Sequence, residues 1–189
     1  APYLSLTLTG KRFTNELLTR DVVSAAELKQ PGRFAWVFWD DATRKSAKLM
    51  DSYISMGLAV KGNTVAEIAK AMNVPAAELE ATLKAYAAGK AAGKDAFGRA
   101  DMPQAMQTAP FFAVKVQPAV HHTMGGVKID TKAEVLNPAG HTIPGLFAAG
   151  EVTGGVHGGN RLGGNAQADI VTFGRIAGQS ADAYLKTAK

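Results

Sequence analysis

An arginine stands among glycines in the stretch GGVHGGNRLGGNA, Gly154 to Ala166, where six of thirteen residues are glycine. Glycine lets a backbone approach a ligand closely, and the guanidinium of Arg161 can bind a carboxylate through two parallel N–H donors. The stretch runs into a helix predicted to begin at Asn165, and a helix N-terminus presents unpaired N–H groups. The pattern favours a bound anion or electron-rich ring; a helix cap after a flexible loop is the alternative.

A carboxylate follows an apolar strand in GLFAAGEVTGG, where the small residues end at Gly150 and Glu151 comes next. Small residues allow a ligand to lie close to the backbone, and a carboxylate at a strand end can accept hydrogen bonds from ribose or ribitol hydroxyls. The alternative is a strand, a turn and a solvated glutamate.

Two adjacent histidines, His121 and His122, open the stretch HHTMGG. On an extended backbone they point in roughly opposite directions, so they would contact two different ligands rather than converge on one. Acidic ligands are few nearby, and we therefore expect no metal site. A histidine pair in the core or on the surface is the alternative. The pair Arg20–Asp21 in NELLTRDVV is, from its residues alone, a local surface ion pair.

The elements that must position these groups fall into two parts. The first part, about 12–101, predicts a small α+β unit, preceded by a strand over Tyr3 to Leu8. Its predicted elements are a helix from a cap near Ser24 to Pro31-Gly32, a strand over RFAWVFWDD, one helix over DATRKSAKLMDSYISMG ended by Gly57, and helices in NTVAEIAKAMNV and PAAELEATLKAYAAGK.

The second part holds thirteen of the 20 glycines and all four histidines from His121 onward. Short strands are predicted in FFAVKVQP, GGVKID, AEVLN and HTIPGLFAAGE, with a turn at Asn137 to Gly140. The last element is a long amphipathic helix over NAQADIVTFGRIAGQSADAYLKTA.

Composition excludes several classes of function. The 189 residues are 47% hydrophobic and 20% charged, as in an ordinary globular protein able to bury a core. The net charge of +5 is diffuse and gives little support to nucleic-acid binding. The chain has no cysteine, which excludes disulfides, thiolate nucleophiles and cysteine-ligated metals. No apolar run reaches transmembrane length, so we expect no membrane insertion.

The segments GKRFTNELLTRDVVSAAELKQPG, HHTMGGVKIDTKAEVLN and IPGLFAAGEVTGGVHGGNRLGGNAQADIVTFGRIAG strongly resemble the soluble, flavin-dependent fumarate reductases. That family includes the flavocytochrome c type and the related urocanate reductases. The resemblance implies that residues 1–101 form most of a clamp, or capping, domain, and that residues 102–189 form the C-terminal part of a Rossmann-like FAD-binding domain. It also implies a periplasmic location and a cytochrome or another electron donor.

The same resemblance implies a role for each candidate residue. Hydride passes from FAD N5 to the β-carbon of an alkene carboxylate, and Arg20 matches the arginine that protonates the neighbouring carbon. The substrate would be fumarate, with urocanate second. The matched substrate-binding positions are His122, Arg161 and Gly164. The matched cofactor positions are His121, Gly150, Glu151, Asn165, Ala166 and Gln167.

The sequence departs from the family pattern because the N-terminal βαβ unit with its G-x-G-x-x-G loop is absent, as is a heme-attachment C-x-x-C-H. We therefore expect a C-terminal portion of an enzyme, inactive until the missing FAD-binding half is supplied by the same parent chain or a second chain. Two alternatives stay open: a non-catalytic fragment or binding module, and a flavin-dependent dehydrogenase of the same fold, such as a ketosteroid dehydrogenase.

Overall fold

The computed structural model describes residues 2–187 and divides into two compact units, Ala1–Pro118 and Ala119–Lys189. Each unit contains both helices and strands, in agreement with the predicted mixed α and β content. No helix in the described range is long and apolar enough to cross a membrane.

A four-stranded antiparallel sheet is the centre of the first unit. Its strands have the spatial order β1-β2-β4-β3 and are β1 (Leu4–Leu6), β2 (Ala35–Asp40), β3 (Ala59–Gly62) and β4 (Phe111–Val116). β2 and β4 pair over their full lengths, with Trp36 opposite Lys115 and Trp39 opposite Phe112. Aromatic and β-branched residues fit this pleated, buried surface, which is why both strands could be predicted.

The first unit has five helices in its described part: α1 (Arg20–Leu28), α2 (Asp41–Ser46), α3 (Leu49–Ser55), α4 (Val65–Met72) and α5 (Ala76–Ala92). A short 3-10 turn, Pro31–Arg33, follows α1. The N-terminus of α4 is capped by side chains: the Thr64 hydroxyl accepts the Glu67 N–H, and the Glu67 carboxylate accepts the N–H of Asn63, the residue before the cap.

Two helix predictions in the first unit were wrong. α1 begins at Arg20 rather than near Ser24, with the extended Thr19 as its N-cap residue. The segment 41–57 forms two helices rather than one, because the backbone leaves helical geometry at Ala47 (φ −134°, ψ 82°). Ala47 packs on the cluster that contains Trp39 and Phe112, so tertiary packing overrides the helical pattern.

The core of the first unit has two hydrophobic clusters. The larger joins strands β1, β2 and β4 to helices α4 and α5 through residues such as Phe38, Ile68, Leu79 and Phe111. The smaller packs Met50 of α3 against Trp39 and Phe112, whose rings stack with centroids 5.8 Å apart. Burial of apolar surface on this scale is the main favourable contribution to folding.

A buried charge network ties the segment before α1 to the far end of the unit. Arg12 donates to both oxygens of Glu16, at 3.0 and 2.8 Å, and to Asp95. Arg99 donates to Glu16 at 2.9 Å, and both of these side chains are fully buried. The backbone N–H of Ser5 also donates to Glu16. Each buried charge in the network is therefore paired and hydrogen-bonded, as low-dielectric burial requires.

The boundary between the units falls after Pro118, whereas the sequence places it between residues 101 and 102. The physical reason is β4, which pairs with both β2 and β3 and so completes the sheet of the first unit.

The second unit has little regular structure before its long helix. β5 (Val127–Lys128) pairs in parallel with β8 (Thr153–Gly154), and β6 (Glu134–Leu136) pairs antiparallel with β7 (Thr142–Phe147). The predicted turn from Asn137 to Gly140 is confirmed by a bond from the Gly140 N–H to the Asn137 carbonyl, 2.9 Å. A 3-10 turn over Gly150–Val152 precedes β8. This turn was not predicted from the sequence.

The final helix, α6 (Asn165–Thr187), begins where it was predicted. The predicted end at Ala188 lies outside the described residues.

Candidate active site

His122 lies in a strained loop of the second unit. Its φ is +74°, and Met124, two residues later, has φ +53°. Left-handed conformations of this kind cost a non-glycine residue about 1–3 kcal/mol and concentrate at functional sites. The expectation of an extended histidine pair is therefore wrong at His122. The Met124 N–H donates to His122 Nδ1 at 3.1 Å, so the neutral imidazole carries its proton on Nε2.

Nε2 of His122 is buried and has no hydrogen-bond partner among the described residues. Nε of Arg161 is in the same state, although the Arg161 side chain also donates through Nη1 to the Leu162 carbonyl at 3.1 Å. A buried donor without an acceptor costs about 1–3 kcal/mol. Such atoms are uncommon in folded proteins and call for a reason, of which a bound ligand is one.

Arg161 lies against the histidine loop. Its backbone N–H donates to the sulfur of Met124 at 3.1 Å, and the residue is only 7% exposed. The structure therefore brings His122 and Arg161, two of the predicted substrate-binding residues, to one place in the second unit. A guanidinium and an imidazole N–H are both donors suited to carboxylate oxygens.

Glu151 is bonded to the same loop. Its carboxylate accepts the Thr123 N–H at 3.1 Å, and its carbonyl accepts from the Thr123 hydroxyl at 3.2 Å. Gly126 makes this approach possible, because a Cβ there would come within 1.9 Å of the Val152 carbonyl oxygen. Glu151 itself is exposed, which leaves its carboxylate accessible to hydroxyl groups.

The glycine-rich loop lies open. A Cβ at Gly155, Gly158, Gly159 or Gly164 would meet no atom within 4 Å among the described residues. Three of these glycines have φ between +60° and +98°, which gives a backbone reason for the residue. Gly159 has neither a positive φ nor a close neighbour. The glycine at this position is thus unexplained by the fold of the chain and is consistent with a ligand approaching the backbone.

The N-terminus of α6 continues from this loop. The Gln167 N–H bonds back to the Gly164 carbonyl at 2.9 Å, and the Asn165 N–H bonds to the Leu162 carbonyl at 3.3 Å. Asn165 and Gln167 are exposed and Ala166 is half-buried. The positive end of the helix dipole lies here, where it stabilises a nearby anion by about 0.3–1 kcal/mol. Of the other predicted cofactor positions, His121 is exposed and Gly150 is buried.

Two residues that sequence reasoning missed complete the site. His157 Nε2 lies 3.0 Å from Asp169 Oδ2; Asp169 is buried and His157 is half-buried. The His157 and His122 rings are 5.0 Å apart and almost perpendicular, at 84°. His122, His157 and Asp169 each offer a metal-ligating atom within 4.8 Å of the others. The histidine in GGVHGG was the available signal, but no sequence spacing links it to Asp169 on α6.

Arg20 belongs to the first unit, where it is the first residue of α1 and is exposed. Within the part of the chain that the structure describes, residues 2–187, its guanidinium makes no hydrogen bond or ion pair. A cation at a helix N-terminus is electrostatically unfavourable. The position of Arg20 therefore gives the fold no evident benefit.

Comparison with known proteins identifies the family of this chain. A profile of FAD binding domains matches residues 4–166. Fumarate reductase (cytochrome) from Shewanella frigidimarina is 49% identical over 178 residues, which are 94% of this chain and 31% of that protein. Urocanate reductase from Eggerthella lenta is 35% identical over 182 residues, or 92% of this chain and 30% of that one.

A solved structure agrees. The open conformation of a flavocytochrome c3 fumarate reductase superposes with a TM-score of 0.78 at 52% identity, covering 96% of this chain and 32% of that one. The chain thus spans about a third of the length of the relatives it matches. The resemblance to fumarate and urocanate reductases is confirmed, as is FAD as the cofactor of the family. The match over most of its length shows that this chain belongs to the family of FAD binding domains.

Proposed function

We propose that the chain is part of an FAD-dependent reductase that saturates the double bond of an unsaturated carboxylate. Fumarate is the first candidate and urocanate the second. The observation that carries the proposal is a pair of buried N–H groups, His122 Nε2 and Arg161 Nε, that have no partner within residues 2–187. Both belong to residues that bond to Met124. Both are donors and one belongs to a permanent cation, so the ligand they favour is an anion with several acceptor oxygens.

We assign substrate binding to His122 and Arg161. A carboxylate that accepted from both groups would satisfy two donors and remove the cost of leaving them buried and unpaired. The exposed Gly164, with no side chain in the way, would let the substrate approach the backbone. A steroid or another apolar substrate would leave the same two donors unpaired. This argues against the ketosteroid type of dehydrogenase.

The residues of the second unit fit FAD. The exposed Glu151 carboxylate could accept hydroxyls of the ribityl chain, and the open glycine loop leaves room for a flat ring. Ala166 and Gln167, in the first turn of α6, would place the positive end of the helix dipole near the ring and favour its reduced, anionic form. Reduced FAD, when bound, supplies the hydride. We assign the second unit, Ala119–Lys189, to the C-terminal part of this Rossmann-like FAD-binding domain and the first unit, Ala1–Pro118, to most of a clamp domain.

Arg20 is our candidate proton donor. It is exposed and unpartnered among the described residues, so its guanidinium is available to a substrate. Arginine is almost never deprotonated in proteins, so it can give up a proton only if a relay restores that proton at once. We expect the relay, the phosphate-binding half and an electron donor such as a cytochrome from outside this chain, in a periplasmic setting.

A chimera tests the proposal. Residues 1–189 replace the segment that they match in fumarate reductase (cytochrome) from Shewanella frigidimarina, and the product is assayed with a reduced dye. We expect bound flavin and reduction of fumarate faster than of urocanate. Arg20→Ala should keep the flavin and nearly abolish turnover, while Arg33→Ala, at another exposed arginine of the first unit, should leave turnover unchanged.

Three outcomes would contradict parts of this proposal. A chimera that binds flavin but reduces neither substrate would favour a non-catalytic binding module. Faster reduction of urocanate would reverse the order of substrates. Normal turnover by the Arg20→Ala chimera would remove Arg20 as the proton donor.

A further inference from the structure

Three side chains of the second unit contact one another in sequence: Asp169 bonds to His157, and the His157 ring packs on the His122 ring. The proposed function assigns a role only to His122. Asp169 lies in the second turn of α6, the longest helix of the described chain, and its side chain is only 2% exposed. Its Oδ2 lies 3.0 Å from His157 Nε2. A carboxylate only accepts, so this bond puts a proton on His157 Nε2 and fixes the orientation of the ring relative to α6.

The His157 ring in turn limits where the His122 ring can go. The two rings meet at 84° with centroids 5.0 Å apart, the edge-to-face arrangement that aromatic rings prefer. His122 has a strained backbone, φ +74°, and such conformations persist only where surrounding contacts hold them. Two described contacts do so: the Met124 N–H on Nδ1 and the perpendicular His157 ring.

We infer that His157 and Asp169 are a positioning pair that holds His122 with its Nε2–H available to a substrate carboxylate. The inference rests on the proposed function, because it assumes that His122 binds the substrate. Neither His157 nor Asp169 is required to contact the substrate. They keep the His122 Nε2–H in one orientation before the substrate binds, so binding does not carry the entropic cost of ordering that side chain.

A metal site is the competing explanation, since the three side chains could ligate one ion. The geometry favours positioning. His122 Nδ1 already accepts an N–H and His157 Nε2 already faces Asp169, so an ion would have to displace the His157–Asp169 bond or use the remaining nitrogens. The unpartnered Nε2 of His122 is a donor in this tautomer and cannot ligate a metal.

The test uses the chimera and measures the dissociation constant of succinate, a saturated dicarboxylate that binds without reacting. His157→Phe keeps a ring at this position and loses the bond to Asp169. His157→Gln keeps a donor for Asp169 and loses the ring. We expect Phe to weaken succinate binding and to raise KM for fumarate by about 10- to 100-fold, as small misplacements do. Gln should recover part of this loss.

Asp169→Asn provides a second route to the same answer, and flavin content checks that each variant is folded. His141→Gln is the matched control, because His141 is an exposed histidine in the turn between β6 and β7. A loss in His157→Phe and Asp169→Asn that is smaller in His157→Gln and absent in His141→Gln, with flavin content kept, supports the positioning pair. Succinate affinity within about twofold of the parent in both variants overturns it.

Two further results separate this inference from the proposed function. Stoichiometric zinc in the purified chimera, lost in Asp169→Asn, would show a metal site and overturn the positioning role. A parent chimera that binds succinate without reducing fumarate would contradict the proposed function, while the comparison of dissociation constants would still decide the role of His157.

Discussion

The first unit buries twenty hydrophobic residues and the second buries two, Ala133 and Val135, among residues 2–187. The second unit also leaves large apolar side chains exposed, such as Val171 and Leu185 of α6, at 69% and 74%. The first unit therefore has a hydrophobic core of its own, whereas the second unit buries few apolar side chains and exposes large ones.

Buried polar groups differ in the same way. The buried charges Arg12, Glu16, Asp95 and Arg99 of the first unit are paired with one another. In the second unit His122, Arg161 and Asp169 each have a buried polar atom without a partner in the described range, 2–187. The first unit also has such atoms, but three of the four lie on the aromatic side chains of Trp36, Trp39 and Tyr86. The buried charge network of the first unit is thus satisfied within the chain, whereas we propose that a ligand satisfies His122 and Arg161 of the second.

The largest expected effect comes from separating the units. We expect a fragment of residues 2–118 to fold alone and to melt in one cooperative transition, followed by circular dichroism. A fragment of residues 119–187 should show no cooperative transition, because two buried hydrophobic residues cannot offset its conformational entropy. A cooperative melt of the second fragment would show that the second unit, like the first, has a core sufficient for folding.

Breaking the charge network of the first unit should have the next largest effect. Glu16→Gln leaves Arg12 and Arg99 buried beside a neutral amide, and we expect a loss of about 3–5 kcal/mol in the free energy of unfolding. The matched control is Glu78→Gln, which removes an exposed pair with Lys11 and should cost at most about 1 kcal/mol. Urea denaturation measures both. Equal losses would show that burial of the network is unimportant.

Arg161→Met should weaken succinate binding with little change in stability, whereas Glu16→Gln mainly lowers stability. Removing a guanidinium that has few partners in the chain should leave flavin content and stability of the chimera nearly unchanged. Succinate binding should weaken at least about 30-fold, the loss expected when one member of a buried charge pair is removed. Arg175→Met, at an exposed arginine of α6, is the control. Unchanged succinate affinity in Arg161→Met would remove Arg161 from the substrate site.

The smallest effect concerns pH. Burial would raise the pKa of Asp95, but hydrogen bonds from Arg12, Arg99 and Phe97 outweigh it and hold this pKa below its ordinary value. The folded state therefore binds the Asp95 proton more weakly than the unfolded state. Its contribution to stability is present above the unfolded pKa of about 3.9 and is lost as pH falls through the lower folded value.

Asp95→Asn should consequently flatten the acid side of the stability profile of the first unit, measured by urea denaturation between about pH 2 and pH 6. Glu78→Gln, which removes an exposed pair with Lys11 in the same unit, should not change that profile. An unchanged acid slope in Asp95→Asn would show that other carboxylates determine it.

The sequence was informative where local pattern decides structure. The aromatic strand β2, the Pro75 start of α5 and the turn at Asn137 follow from residue preferences, and the structure contains all three. The break at Ala47 could not be predicted, because packing on Trp39 decides it rather than helix propensity.

The site was predictable in part, and for a similar reason. Arg161 and His122 stood out as polar residues beside glycines, and the resemblance to a family assigned them a ligand. The left-handed backbone of His122 and its contact with His157 depend on how two loops meet, which no residue pattern encodes. Asp169 could not be predicted either, because in the sequence it is simply one acidic residue on an amphipathic helix.

Gly159 offers a way to watch the site. Its backbone suits any residue, no atom lies near its missing side chain, and the chain has no cysteine. Gly159→Cys would therefore create a unique attachment point for a fluorescent dye without disturbing the fold. A dye there would lie beside Arg161 and report the arrival of flavin or dicarboxylate as a change in emission, in real time and without turnover.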